Sequence, residues 1–135
     1  MPPPRNYASL LRERRGFLAT SAPEGPHLVP VCFTWAGDVI WTAVDDKPKR
    51  TEELQRLKDI QGSPMIAFTV DRWDEDWSRL AWLQARGRAT EVTDDEEIEK
   101  AQTALRSKYP QYEAMPLNGP VIRIEVERWI GWSAE

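Results

Sequence analysis

One cysteine and one histidine among 135 residues close off several chemistries at once. With Cys32 alone there is no disulfide framework and no cysteine-rich zinc site, and a reducing compartment is the natural expectation. With His27 alone, a Ser-His-Asp arrangement has a single base to be built around. One His, one Cys and scattered acids also give no metal-ligand spacing. No apolar run approaches membrane-spanning length, and Met1-Pro2-Pro3-Pro4-Arg5 lacks the apolar centre of a signal peptide. The expectation is a cytoplasmic protein with no membrane partner. A formal charge of -4 argues against a nucleic-acid partner, which would call for a basic footprint over the domain. Repeats and low-complexity stretches are absent.

What is present suits one domain spanning residues 1–135, since a 41% apolar chain of this length is enough for a single core. Asn6 is placed to cap a short helix carrying Tyr7, Leu10 and Leu11, ended by Gly16. Phe17 to Ala22 reads as a strand, Pro23-Glu24-Gly25-Pro26 as a turn, and His27 to Trp35 as the returning strand. Pro30 cannot donate to a ladder, which puts that strand at an edge or a bulge. Val39 to Val44, Met65 to Val70, Leu80 to Val92 and Val121 to Val126 complete six strands, with Gly87 marking a bulge in the longest. Thr93 to Glu96 fits a capping box for a helix over Ile98, Ala101, Leu105 and Tyr109, stopped by Pro110. Strands in meander with two or three helices favour an antiparallel barrel over a parallel sheet.

The stretch from Asp38 to Ile60 organises the rest. A strand ends at Asp45-Asp46, a Lys-Pro-Lys-Arg turn follows, and a helix restarts from Thr51 because Pro48 forbids a smooth passage. Lys47, Lys49 and Arg50 therefore surround a helix N-terminus, which already favours anions through its free N–H groups. Trp41, Thr42 and Ala43 offer aromatic and small neighbours for a ring. Leu54, Leu57 and Ile60 form the helix's buried face, with Arg56 and Lys58 outward. Asp71 to Arg79 has neither helical nor strand period and reads as a long loop.

GFLATSAPEGPHLVPVCF (Gly16 to Phe33), DDKPKRTEELQRL (Asp45 to Leu57), VDRWDEDWS (Val70 to Ser78) and WIGWS (Trp129 to Ser133) together resemble the pyridoxamine 5'-phosphate oxidase-like split β-barrel flavoproteins. DEDWS and the tryptophan–glycine–tryptophan pattern of the terminal Trp129-Ile130-Gly131-Trp132 resemble in particular the branch that uses the deazaflavin coenzyme F420. The resemblance implies a mainly β fold with flanking helices, an antiparallel six-stranded split β-barrel of the FMN-binding type. It also implies a homodimer with the cofactor in a groove at the interface. By the same resemblance Lys47, Lys49, Arg50 and Thr51 hold the cofactor's anionic part, while Val29, Pro30, Val31, Thr42 and Ala43 flank its ring. Glu52 and Glu53 must then point away from the phosphate.

The implied function is an F420-dependent reductase passing hydride between the deazaflavin and a small organic substrate. The alternatives are an FMN-binding oxidase or reductase of the same fold, and a deazaflavin carrier without turnover. The cofactor carries the reaction in such an enzyme, so no catalytic side chain and no metal is assigned. Trp77 and Trp132, with Trp129, are candidate walls of a substrate pocket. Barrel plugging is the competing role for Trp77, and packing is the expectation for Cys32. His27 is expected to be an exposed or hydrogen-bonded strand residue, and Asp74, Glu75 and Asp76 a solvated acidic loop.

Overall fold

Gly16–Ala22 (β1) and Gly25–Val31 (β2) form a hairpin closed by Pro23-Glu24, with Ala22 opposite Gly25. Gly25 sits at φ 133°, a backbone region that only glycine enters without strain. The computed structural model describes residues 2–43, 50–117 and 119–134, with the side chains of residues 50–54 outside the description. Thr34–Ala36 (β3), Val39–Ala43 (β4), Met65–Arg72 (β5), Ala81–Glu91 (β6) and Val121–Ser133 (β7) complete one antiparallel sheet in the order β2-β1-β5-β6-β7-β4-β3. This is the mainly β, split-barrel type of fold that the sequence implies, with seven strands in place of six.

The extra strand arises where one was expected over residues 27–35. β2 ends at Val31 on one margin of the sheet and β3 begins at Thr34 on the other. Phe33, fully buried between them, has its N–H accepted by the Tyr109 hydroxyl at 3.1 Å rather than by a neighbouring strand. That hydroxyl donates in turn to the Arg14 carbonyl at 2.8 Å. A side chain thus satisfies the backbone where the ladder lapses, and the chain can change margins. β2 is an outer strand, as Pro30 requires. Cys32, at this crossing, is exposed rather than packed.

Two helices cover the sheet. Arg50–Gly62 (α1) lies on β1 and β6 and buries Leu57 and Ile60. Asp95–Lys108 (α2) buries Ala101 and Leu105 and is capped by Asp94, which accepts from the Glu97 N–H at 3.0 Å. The cap falls one residue after Thr93, the expected one; Asp94 holds the extended backbone a cap needs and leaves three acids for the first turn. Near the N-terminus, Ala8–Arg12 forms a 3-10 turn without a side-chain cap, instead of a helix capped by Asn6. Gly16 opens β1 rather than closing that helix, and a Cβ there would stand 2.2 Å from the Phe68 ring.

β6 and β7 slip register between Arg86 and Gly87, the bulge expected at that glycine. β7 continues through the tryptophan-rich tail to Ser133, opposite Ala81. The main core lies between the sheet and α1, around Leu18, Phe33, Ile40, Phe68, Leu83, Ile122 and Ile124. A second cluster under α2 gathers Leu105, Tyr109, Tyr112 and Val121. Among the described residues no helix is long and apolar enough to cross a membrane, and no group of three His, Cys, Asp or Glu is placed to hold a metal ion.

Candidate functional site

Alternation along β2 turns His27, Val29 and Val31 inward and leaves Pro26, Leu28 and Pro30 outward. Because β2 is marginal, a groove wraps around it. Its walls are His27, Val29 and Pro30 on the strand side and Gln55, Arg56 and Asp59 on α1, enclosing about 570 Å³. Drug-sized and cofactor-sized ligands occupy clefts of roughly 300 to 1,000 Å³, so the volume is suitable.

A buried carboxylate anchors this groove. Asp59 is 4% exposed, and its oxygens accept from Thr20 Oγ1 at 2.8 Å, His27 Nδ1 at 2.6 Å and Gln55 Nε2 at 2.9 Å. Burial pushes the Asp59 carboxyl up, but the hydrogen bonds from Gln55, His27 and Thr20 and the His27 charge outweigh it and hold the group below its ordinary value. The hydrogen bond to Asp59 lifts His27 above its ordinary value, opposed by partial burial and assisted by the charges of Asp59 and Glu24. Glu24 Oε1 lies 3.4 Å from His27 Nε2. The cluster ties α1 to the first hairpin, and the spacing from residue 55 to residue 59 puts both α1 partners on one helix face.

His27 is therefore hydrogen-bonded, as expected, but its partner was not visible from periodicity. Asp59 lies about 100° round the helix from Ile60, at the margin of the apolar stripe, and nothing in the sequence pairs it with the chain's single histidine. Arg56, expected outward, is partly buried against the groove.

Of the other expected site residues, Val29 and Pro30 line the groove, whereas Val31, Thr42 and Ala43 are buried. Thr42 Oγ1 donates to the Cys32 carbonyl at 2.7 Å, which ties β4 to the end of β2. Trp41 turns toward α2, its Nε1 donating to Glu97 at 2.9 Å, and not toward the groove. Lys47 and Lys49 lie outside the described residues, as do the side chains of Arg50 and Thr51. α1 begins at Arg50, the last residue of the Lys-Pro-Lys-Arg sequence.

Trp77 and Trp132 line no part of this groove and are 67% and 44% exposed. A Trp77 that plugs the barrel is thereby excluded. Its indole meets Trp73 edge to face at 6.5 Å between ring centres. The acids of this segment hold the chain in shape: Asp76 accepts from the Ser78 N–H and hydroxyl, and Asp74 accepts from the Asp76 N–H and pairs with Arg79 at 3.3 Å. Those Ser78 bonds keep the Asp76 carboxyl below its ordinary value. The expected long loop is thus shorter and more ordered, with β5 reaching Arg72 and a 3-10 turn over Trp77–Arg79.

Comparison with known proteins bears on the family and the fold. The family model described as pyridoxamine 5'-phosphate oxidase matches residues 4–133. Among solved structures, a conserved hypothetical protein of Mycobacterium tuberculosis is similar at a TM-score of 0.77 and 21% identity, over 96% of this chain and 84% of that one. An FAD-binding protein of Mesorhizobium loti gives 0.70 and 18%, over 90% and 87%. A structure described as an F420 reductase gives 0.66 and 24%, over 94% and 98%. No curated protein matches the chain.

Proposed function

The chain belongs to the pyridoxamine 5'-phosphate oxidase family, and from that premise we propose that it is an oxidoreductase using coenzyme F420 to reduce a small organic substrate. The observation that carries the reading is the groove between marginal strand β2 and α1, the helix that begins at Arg50. Val29 and Pro30 supply a smooth, largely apolar wall for a flat ring. Lys47, Lys49, Arg50 and Thr51 supply charge and N–H groups for an anionic tail at the start of α1. The deazaflavin would supply hydride chemistry, leaving the protein to bind, orient and exclude water. Fold likeness to an F420 reductase supports this choice, and likeness to an FAD-binding protein supports flavin as the competing ligand.

Titration of the purified protein with F420 and FMN side by side tests the choice. Tighter binding of F420, with oxidation of its reduced form by some acceptor, is the expected result. FMN retained through gel filtration would overturn it in favour of a flavin enzyme, and binding without turnover would leave only a carrier. Charge-assisted hydrogen bonds contribute about 1.5 to 3 kcal/mol each. Lys49→Ala combined with Arg50→Ala should therefore weaken F420 binding at least roughly tenfold, with the fold intact. Unchanged affinity would remove the basic turn from the site.

We also propose that the protein is a homodimer. Ala19 stands between Leu28 and Ala67 across β2, β1 and β5 on the outer face of the sheet, and Trp82 faces Trp132 across β6 and β7. Leu28 is 68% exposed in the single chain. An apolar face of this kind is ordinarily covered by association. Sedimentation should give twice the 15.6 kDa chain mass, and Leu28→Glu should shift the population to monomer. A monomeric parent at micromolar concentration would refute the assembly.

A further inference from the structure

Away from the groove, three cations converge on a second cavity with no carboxylate among its walls. Arg12 and Arg14 reach it from the segment before β1, Lys108 and Ser107 from the end of α2, and Thr34 and Trp35 from β3, around a volume of about 310 Å³. Like charges do not gather unless something holds them. Here the backbone does: Arg14 Nη1 donates to the Lys108 carbonyl, Lys108 Nζ donates to the Leu11 carbonyl at 3.2 Å, and the Tyr109 hydroxyl donates to the Arg14 carbonyl.

Those bonds leave most of the cationic donors unused. An ammonium has three N–H groups and a guanidinium five, and no ion pair with Asp or Glu engages Arg12, Arg14 or Lys108 among the described residues. The Lys108 ammonium is also partly removed from water, lying 3.5 Å from the centre of the Phe33 ring. The Phe33 and Tyr109 rings hold the ammonium as a cation through their faces, Tyr109 at 5.4 Å, and neither ring supplies a counter-charge to offset the Arg14 guanidinium beside it. The negative end of α2 faces the same region, but its last carbonyl is already covered by Arg14.

We infer that the cavity bounded by Arg12, Arg14, Ser107 and Lys108 is a binding site for a phosphate-type oxyanion, separate from the groove beside β2. The guanidinium groups offer forked N–H donors, the ammonium a point charge, and the Thr34 and Ser107 hydroxyls neutral donors for the remaining oxygens. Occupation would relieve the repulsion between Arg14 and Lys108 and fasten the segment before β1 to α2. The inference does not rest on the proposed cofactor.

Inorganic phosphate is the probe. Backbone amide resonances of Arg12, Arg14, Ser107 and Lys108 should shift saturably with phosphate at constant ionic strength, and Tm should rise with phosphate concentration. Lys108→Met keeps the aliphatic stem over Phe33 and should weaken binding at least tenfold, as should Arg12→Gln, an exposed position whose change leaves the fold alone. Burial first, and then the Arg14 charge, depress Lys108 to about 8, against weaker opposing effects of Cys32 and Glu13. Affinity for phosphate should therefore fall between pH 7 and pH 9.5 in the parent, and the Lys108→Met variant should lack that fall. The Lys49→Ala, Arg50→Ala protein should show the same phosphate-dependent shifts at Arg12, Arg14, Ser107 and Lys108 as the parent. Non-saturating shifts, equal binding by Lys108→Met, or loss of those shifts in the basic-turn variant would each overturn the site.

Discussion

Gly87→Ala should cost the fold on the order of 3 kcal/mol, read as a Tm lower by about 10 °C for a domain of this size. A Cβ at that position would lie 2.0 Å from the Glu125 carbonyl oxygen, 2.9 Å from its carbon and 3.0 Å from Val126 Cα. All three are backbone atoms of β7, so no side chain can swing aside. The bulge between Arg86 and Gly87 is where the two longest strands bring their main chains together, and the register of the tryptophan-bearing end of β7 is set from there. Gly62→Ala is the control, since nothing lies within 4 Å of a Cβ added at the last residue of α1. Chemical denaturation of both variants decides the matter. A loss below about 1 kcal/mol for Gly87→Ala would mean that the β6–β7 pair closes differently.

That glycine was legible because its chemistry is local: a residue without a side chain inside an alternating strand signals a bulge. Pro30 at the margin of the sheet was legible for the same reason, since a missing N–H cannot serve a central strand. The break at Cys32-Phe33 was not, because its cause lies 76 positions away in the hydroxyl of Tyr109. Periodicity reads residues 27–35 as one run, and nothing within the run announces that a distant side chain will take over the backbone hydrogen bond. Capping shows the intermediate case. Thr93 and Asp94 are both competent, so the sequence locates the start of α2 but not which of the two holds it.

The candidate site divides along the same line. Residues whose role follows from charge beside a helix start, or from apolar strand surface, could be proposed from spacing alone. The groove's central carboxylate could not, because Asp59 gains its meaning from Thr20 and His27 on a hairpin that it meets only in the folded chain. An aspartate at the margin of the Leu57–Ile60 stripe reads as a solvated residue until the opposite wall is known. Helical spacing can show that Gln55 and Asp59 share a face; it cannot show what that face meets.

Asp59→Ala should accordingly destabilise the protein by about 2 to 3 kcal/mol near pH 6, because it leaves three donors around a buried position without their acceptor. The dependence on pH tests the pairing more sharply than the magnitude does. Asp59 titrates below its ordinary 3.8 in the folded chain, so its contribution is present above that value and is lost as pH falls through the folded pKa. His27 titrates above its ordinary 6.5, so its contribution is complete below 6.5 and is lost as pH rises through the folded pKa. The parent should therefore be most stable between roughly pH 4 and 6.5 with respect to this pair. Lys108, depressed to about 8, adds stability only as pH climbs from about 8 toward its ordinary 10.5, and the alkaline limb is best read below pH 8. His27→Gln, which can still donate to Asp59 but cannot titrate, should flatten the decline above pH 6.5 and preserve the acid limb. Asp59→Ala should remove the acid limb and bring His27 back toward its ordinary titration, measurable from the ring-proton shifts. If the proposed site at the start of α1 is right, loosening the tie of α1 to the hairpin should also weaken F420 binding in Asp59→Ala more than in His27→Gln. An Asp59→Ala protein whose stability follows pH as the parent's does would show that the carboxylate is not what fastens α1 to the hairpin.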